Sequence, residues 1–277
     1  MWGIVYAIVA INLPEFIKNY NGTHKLEINK FFDSAYYPGY KPSGTEYCEK
    51  VKNDHGISLF RSEINWVDEG VVTPIKNQGE CGSCWSFSAT GALEGAWAIN
   101  SGNLISFSEQ QLMDCSTDYN DFGCNGGEMT HAFRYVIDNG ICDEADVPYK
   151  SQVHTCAQDF CKTRTNFSNC RTIPAGDQMA MMRYIQFQPL SVAIQADQPV
   201  FKYYKRGVIT TEECGQETDH GVLVVGYGTE DGHDYWLVKN SWGPDWGDNG
   251  YVKIGRSNSS DDLGICGIAS AASFPLV

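Results

Sequence analysis

The chain has 277 residues, which allows one large domain or two small ones, and 42% of them are apolar, which is enough for a packed core. Its formal net charge is −14 at pH 7. Because an excess of carboxylates repels phosphate groups, we expect neither nucleic acid nor an anionic membrane surface as a partner.

The N-terminal residues 1–13 are apolar and uncharged. They are too few to span a bilayer, and they lack the basic start of a signal peptide. Two interpretations stay open: a remnant of a signal peptide, or a start assigned at the wrong position. Further on, residues 37–44 are rich in Pro, Gly and Tyr, and residues 50–55 are charged. This composition predicts an exposed linker where proteolytic cleavage occurs.

Residues 76–87 begin with turn formers, pass through Cys-Gly-Ser-Cys and continue into a helical pattern. Apolar residues recur there at spacings of three and four: Trp85, Ala89, Ala92, Leu93, Ala96 and Trp97. The pattern predicts a largely buried helix that starts near Ser83. The Cys84 sulfur would then lie near a helix N-terminus, where unpaired N–H groups and the helix dipole favour the thiolate. Cys84 is therefore a candidate nucleophile.

The Cys-x-x-Cys pair also has other interpretations, since free cysteines are commonly small buried apolar residues and such pairs occur in redox and zinc sites. A thioredoxin-like redox pair follows a strand, which residues 74–80 do not predict. A zinc site needs a second ligand pair, and the other cysteines contain no further Cys-x-x-Cys. We expect no metal and no other cofactor.

The chain has eleven cysteines. If one is a catalytic thiol, the remaining ten can form five disulfides, which indicates an oxidising secretory or endolysosomal compartment. Three glycosylation sequons agree with this location and begin at Asn21, Asn166 and Asn258.

The pattern after the central helix predicts two more helices, over residues 108–115 and 128–139, with a Cys-Asn-Gly-Gly turn between them. From residue 173 onwards, β-rich runs follow at residues 190–195, 207–211, 221–227, 235–239 and 251–254. A helical half followed by a strand half predicts an α+β fold in two lobes.

In the strand half, His220 heads one apolar strand and Asn240 ends the next, as a hairpin would bring them together. His220 lies 136 residues after Cys84, and Asn240 lies 156 residues after it. These motifs resemble those of the papain-family cysteine proteases, and most of all the cathepsin L branch, which carry Cys-Gly-(Ser/Ala)-Cys-(Trp/Tyr) with His and Asn roughly 130–150 residues downstream. Matching pieces run from about Leu26 to the C-terminus.

The resemblance implies a papain-like fold, in which a helical lobe packs against a β-barrel lobe with the active-site cleft between them. It also implies an inhibitory prosegment, because residues 25–33 match the Gly-x-Asn-x-Phe-x-Asp strand of papain-family zymogens, except that Glu27 replaces the Gly. Residues 1–60 would be a partial prosegment with a cleavage linker. Residues 61–277 would be the catalytic domain, with a helical lobe at about 72–170 and a β lobe at about 171–272. Maturation would cut near residues 57–63.

The same resemblance assigns the chemistry of a cysteine endopeptidase with a thioester acyl-enzyme. Cys84 and His220 would form a thiolate–imidazolium pair across the cleft, and Asn240 would hold the orientation of the imidazole. Gln78 and the backbone N–H of Cys84 would donate hydrogen bonds to the developing oxyanion.

Motif matching also implies a pocket for the second residue before the scissile bond, formed by Met129, Ala193, Gly221 and Ala271. We call it the second-position pocket. It contains no carboxylate, so apolar or aromatic residues are expected there. Further substrate-binding residues expected from the resemblance are Gly126, Gly127, Asp219 and Trp242. No insertion between Gly127 and Cys156 resembles the loop that makes cathepsin B an exopeptidase.

By resemblance, Cys81 should pair with Cys124, Cys115 with Cys156, and Cys214 with Cys266. Cys142 and Cys161 are expected to form a further pair, which leaves Cys48 and Cys170 unassigned. Five histidines have no motif around them and are expected at the surface, namely His24, His55, His131, His154 and His233.

Two other functional classes stay open: a catalytically silent binding protein on the same scaffold, and an acyl transferase such as a peptide ligase. The expected partners are polypeptide substrates and cystatin-type inhibitors, with no stable membrane insertion and a monomeric state. The expected location is a lysosome, a vacuole or the outside of the cell.

Overall fold

The computed structural model describes residues 12–30, 35–51 and 60–277. Its helices are α1 (Leu13–Asn19), α2 (Cys84–Ser101), α3 (Glu109–Cys115), α4 (Met129–Asn139), α5 (Gln178–Tyr184) and α6 (Pro199–Lys202). Its strands are β1 (His24–Leu26), β2 (Glu49–Lys50), β3 (Ile64–Asn65), β4 (Ile141–Cys142), β5 (Arg164–Thr165), β6 (Asn169–Ile173), β7 (Leu190–Ile194), β8 (Tyr204–Ile209), β9 (His220–Glu230), β10 (His233–Lys239), β11 (Tyr251–Gly255) and β12 (Ala272–Leu276). The three helices and five strand runs predicted from the sequence all occur, with ends shifted by a few residues.

The long helix α2 forms the centre of the helical lobe and is buried on nearly all sides. Two of its glycines allow this close packing. A Cβ at Gly91 would lie 2.8 Å from Leu223 Cδ2, and one at Gly95 would lie 2.7 Å from Pro189 Cγ. Because α2 lies directly against β9 and the chain before β7, its first residue, Cys84, faces the β lobe.

The β lobe is built on one antiparallel core in which β9 lies between β7 and β10. In the β7–β9 pair, Ala193 is opposite Gly221 and Ile194 is opposite His220. The β9–β10 hairpin has a register shift between Leu237 and Val238. The structure therefore confirms the predicted α+β fold in two lobes.

The N-terminal segment, which we define as residues 12–30 and 35–51, packs across both lobes. Strand β1 pairs antiparallel with β8, and β2 pairs parallel with β6. Between them, Tyr40 forms a parallel bridge with Gly127. Residues 1–11, 31–34 and 52–59 lie outside the described residues, and with them most of the apolar start, the end of the matched prosegment strand, His55 and part of the expected cleavage region.

The prediction of an exposed linker at residues 37–44 is wrong for its middle. Gly39 is buried and Tyr40 is 6% exposed, whereas residues 41–46 are exposed. The composition of residues 37–44 does not indicate this burial. Gly39 and Tyr40 are buried because they bond to residues that are distant in sequence, and not because of an apolar pattern of their own.

Two of the five histidines expected at the surface are buried, so that expectation is wrong for His24 and His131, which are 1% and 0% exposed. His24 is covered where β1 joins the β lobe, and His131 is covered on α4 by residues 43–47. His154 and His233 are exposed as expected.

Five disulfides connect the described residues: Cys48–Cys170, Cys81–Cys124, Cys115–Cys156, Cys142–Cys161 and Cys214–Cys266. The first joins the two cysteines that the sequence left unassigned. Cys84 is the free cysteine of the described chain. No helix in the described ranges is long and apolar enough to cross a membrane.

Candidate active site

Cys84 is the first residue of α2 and is fully buried. Its sulfur accepts a hydrogen bond from the backbone N–H of Gly221 at 3.2 Å. Burial raises the pKa of the Cys84 thiol to about 12, although the N–H groups of Gly221, Gly39 and Trp85 act in the opposite direction. With the N-terminal segment seated, desolvation outweighs the helix N-terminus, and the thiol is protonated. Burial therefore opposes the thiolate that the helix position alone favours.

His220 begins β9, and Asn240 follows the last residue of β10. The hairpin brings them together, with His220 Nε2 2.8 Å from Asn240 Oδ1. Trp242 covers the imidazole, with ring centroids 4.9 Å apart. Burial lowers the pKa of His220 to about 4, so the ring is neutral. Because Oδ1 can only accept, Nε2 carries the proton and Nδ1 is left as the base. Within the described residues, His220 Nδ1 has no hydrogen-bond partner.

Gln78 is 2% exposed and lies beside the same turn. Its Nε2 donates to the Cys81 carbonyl at 2.9 Å, and its Oε1 accepts from Ser241 Oγ at 2.7 Å. Because an amide nitrogen carries two protons, one N–H of Gln78 is available after the bond to Cys81. The four residues assigned to catalysis thus come from distant parts of the chain and meet where the two lobes touch.

The residues expected to form the second-position pocket also come from distant parts of the chain. Ala193 lies opposite Gly221, and its N–H donates to the Ala271 carbonyl at 3.1 Å. A Cβ at Gly221 would lie 3.2 Å from Met129 Sδ, so Gly221 leaves the space beside that side chain open. Tyr40 of the N-terminal segment lines one cavity with Met129 and Ala271. An aromatic ring of the chain itself therefore lies beside two of the residues expected to form this pocket.

The N-terminal segment occupies the backbone groups of the cleft. Gly127 donates to the Gly39 carbonyl at 2.9 Å, and its own carbonyl accepts from Lys41 N at 3.0 Å. The Asp219 carbonyl accepts from Gly39 N at 3.1 Å and from Tyr40 N at 3.0 Å. Gly126, with φ of 105°, ends the turn that presents Gly127. As long as these bonds persist, a peptide substrate has no access to them.

Asp219 precedes His220 and faces the same segment. Its carboxylate accepts a hydrogen bond from Ala196 N at 2.8 Å. Burial raises the pKa of Asp219 to about 6. Tyr36 and Trp242 pack edge to face beside it, with ring centroids 5.8 Å apart.

Sequence reasoning missed a buried ionic cluster behind the site. Lys76 Nζ donates to Glu94 Oε1 at 2.8 Å and to Glu109 Oε1 at 2.6 Å. Thr73 Oγ1 donates to Glu94 at 2.6 Å and accepts from Lys239 Nζ at 2.9 Å. The cluster fixes residues 73–76 just before Gln78. Glu94 is the signal in the sequence that could have revealed the cluster, because a carboxylate inside the apolar helix α2 requires a buried partner.

It also missed the contacts of His131. His131 Nε2 lies 2.7 Å from Ser43 Oγ, and its Nδ1 lies 3.6 Å from Asp121 Oδ1. Tyr47 packs edge to face on the ring, with centroids 5.0 Å apart. No residue pattern around His131 marks these contacts.

The family model described as "Papain family cysteine protease" matches residues 60–276. The chain therefore belongs to the papain family of cysteine proteases, and it is a hydrolase with the papain-like two-lobe fold. The resemblance seen in the sequence is confirmed.

Curated relatives and solved structures agree. A cathepsin L-like peptidase of Aedes aegypti is 49% identical over 218 residues, which are 77% of this chain and 63% of that protein. Digestive cysteine proteinase 2 of Homarus americanus is 41% identical over 277 residues, covering 96% of this chain and 84% of that protein. The proform of the ragweed pollen cysteine protease Amb a 11 superposes with a TM-score of 0.87 at 35% identity, covering 96% of this chain and 86% of that one. The recombinant stem bromelain precursor superposes with a TM-score of 0.86 at 35% identity, covering 96% of this chain and 87% of that one.

Proposed function

We propose that this cysteine protease is an endopeptidase whose nucleophile is Cys84 and whose proton carrier is His220. The proposal rests on the hydrogen bond of 2.8 Å between His220 Nε2 and Asn240 Oδ1. His220 directly precedes Gly221, whose backbone N–H donates to the Cys84 sulfur. The bond to Asn240 leaves Nδ1 as the basic nitrogen. Asn240 orients the imidazole and fixes its tautomer.

The reaction follows from these positions once the N-terminal segment has left. Water then reaches the site, the desolvation that keeps both groups neutral falls, and the Cys84 proton moves to His220 Nδ1. The thiolate attacks the substrate carbonyl, and the oxyanion accepts from Gln78 Nε2 and from the Cys84 backbone N–H. Nδ1–H then protonates the leaving amine, and a thioester remains. His220 next takes a proton from water, whose oxygen attacks the thioester and restores the thiol.

The proposed preference is for apolar or aromatic side chains at the second residue before the cut. Support comes from the cavity that Met129 and Ala271 line together with Tyr40. Gly221, which pairs with Ala193, leaves the space beside Met129 Sδ open. Glu128 also lines this cavity, but its carboxylate accepts from Thr130 Oγ1 at 3.1 Å and lies 3.6 Å from His131 Nε2, contacts that do not depend on the N-terminal segment.

We further propose that residues 1–60 act as an inhibitory prosegment and that residues 61–277 are the catalytic domain, so that the full chain is a zymogen. Gly39 and Tyr40 in the cleft support this, since they hold the bonds that a substrate needs. Five disulfides suit an oxidising compartment, and polypeptide substrates and cystatin-type inhibitors would enter the same cleft.

Replacement of the nucleophile tests the function. After the N-terminal segment is removed, Cys84→Ala should have no measurable hydrolysis of a fluorogenic peptide, with an unchanged far-UV circular dichroism spectrum. An epoxide thiol reagent should add one mass increment to the wild type, at Cys84, and none to the variant. Retained turnover in the variant would refute the assignment. Product analysis with an added amine separates hydrolysis, the expected result, from acyl transfer.

A further inference from the structure

The disulfide Cys48–Cys170 joins the N-terminal segment to the β lobe across a sequence separation of 122 residues. Cys48 lies before residue 60, where the match to the protease family begins, and Cys170 lies in β6 within that match. Both cysteines are buried, at 5% and 0% exposure. This disulfide is therefore a covalent bond between the proposed prosegment and the proposed catalytic domain.

Other contacts hold the same stretch in place. Glu49 and Lys50 pair with Arg171 and Thr172 of β6, and Val51 N donates to the Thr172 carbonyl at 2.9 Å. In the other direction, Gly39 and Tyr40, which block the cleft, precede Cys48 by only nine and eight residues. The blocking residues thus lie close to a covalent anchor.

We propose that the Cys48–Cys170 disulfide keeps residues 35–51 attached after the chain is cut downstream of them, and that their departure requires reduction by a thiol. The inference rests on the proposed zymogen function. Hydrolysis near residues 57–63 breaks the backbone but leaves a peptide joined to the β lobe through the two sulfurs. Two molecules of a low-molecular-weight thiol supply two electrons and two protons, which give Cys48 and Cys170 thiols and one external disulfide.

The retained peptide would continue to inhibit. A segment tethered by a few residues has an effective concentration on the order of 1 mM, so Gly39 and Tyr40 rebind the cleft in competition with substrate. A segment that binds with a dissociation constant of about 0.1 mM would then occupy about nine cleft sites in ten. We expect about a tenfold rise in turnover per active site when the tether is reduced.

Mass spectrometry of the processed protein tests the inference. The full chain is cut by an added aspartic protease at acidic pH, which needs no thiol, and is then analysed with and without dithiothreitol. We expect the wild type to keep a Cys48-containing peptide without dithiothreitol and to lose it with the reductant. The double variant C48S/C170S should lose the peptide under both conditions. The matched control C142S/C161S lacks a different disulfide and should behave as the wild type.

Turnover per active site, titrated with an epoxide reagent, gives the second readout. Dithiothreitol should raise this value about tenfold more in the wild type than in C48S/C170S, which reports the effect of the thiol on the rest of the molecule, including Cys84 and the other four disulfides. If the shortened wild type loses the Cys48 peptide without a thiol, the inference is overturned while the zymogen proposal stands. If the uncut 277-residue chain is already fully active, the zymogen proposal itself fails.

Discussion

Gly39 of the N-terminal segment lies against the sulfur of Cys84. A Cβ at position 39 would come within 2.9 Å of Cys84 Sγ and 2.3 Å of the Gly82 carbonyl oxygen. No side chain fits there without moving the segment or the start of α2. A substitution at this position therefore tests whether the seated segment keeps the enzyme inactive.

We expect Gly39→Ala to weaken this inhibition. Because the added methyl group meets backbone atoms, the segment shifts out of the cleft, and uncut protein should hydrolyse a reporter peptide at least tenfold faster than uncut wild type at neutral pH. Gly44→Ala is the matched control, since a Cβ there meets no atom within 4 Å. Equal low activity of the uncut wild type and both variants would contradict this account of latency.

The interface between β1 and the β lobe predicts the pH dependence of activation. His24 Nε2 lies 3.2 Å from the Val200 carbonyl, and its Nδ1 lies 3.3 Å from the Tyr20 hydroxyl. The ring also stacks on Tyr204. Burial and, to a lesser extent, the charge of Glu213 raise the pKa of Tyr20 to about 12. Burial lowers the pKa of His24 from 6.5 to about 4, so the docked ring is neutral.

The sign follows from this lowered pKa. A released segment exposes His24, whose pKa returns to 6.5, so release is coupled to proton uptake. The N-terminal segment docks most strongly above pH 6.5, and its docking weakens as the pH falls from 6.5 to 4. Below that range the free energy of docking is less favourable by on the order of 3 kcal/mol. Asp219 has the opposite effect on docking, because its pKa is raised to about 6 and its protonation at low pH favours the docked state. Since Asp219 belongs to the β lobe and keeps its bond to Ala196, only part of its shift depends on docking.

We expect His24→Gln to reduce the acid dependence of activation. In the presence of thiol, the conversion rate of the wild-type zymogen should rise steeply between pH 6.5 and 4, and that of the variant should rise several-fold less. His233→Gln removes an exposed histidine and should keep the wild-type profile. If both variants follow the wild type, carboxylates of the segment, such as Glu49 beside Arg171, control release instead.

The residues around Cys84, His220 and Asn240 show how much the sequence can predict. Their motifs are local, and the strands that carry His220 and Asn240 are adjacent in sequence, so the hairpin places both from pattern alone. The burial of Tyr40, His24 and His131 could not be predicted, because it depends on which distant surface the N-terminal segment covers. The pairing of Cys48 with Cys170 depends on the parallel β2–β6 contact, which no period in the sequence marks.

The second-position pocket gives a prediction about substrates. Full burial of an apolar side chain gains roughly 1.5–3 kcal/mol, whereas an arginine there is desolvated without a partner. The mature enzyme should therefore hydrolyse Phe-Arg and Leu-Arg reporters ten- to a hundredfold faster than Arg-Arg, compared as kcat/KM. Ala271→Glu adds a carboxylate at the base and should raise the relative rate on Arg-Arg at least tenfold. Met129→Leu nearly conserves volume and should keep the wild-type order. Comparable wild-type rates on all three reporters would show that another site decides the preference.

Gln78 gives the last prediction, which concerns the oxyanion. Its amide is held by two bonds, from Nε2 to the Cys81 carbonyl and from Ser241 Oγ to Oε1. Gln78→Ala removes the side-chain donor, and since one such donor contributes on the order of 3 kcal/mol, kcat should fall about a hundredfold with little change in KM. Ser241→Ala removes only the bond that orients the amide, so kcat of this variant should fall by less than about tenfold. Epoxide labelling of Cys84 controls for damage to the nucleophile and should remain complete in both variants. Equal losses in the two variants would mean that Gln78 acts through the packing of the Asn240–Trp242 turn and not as an oxyanion donor.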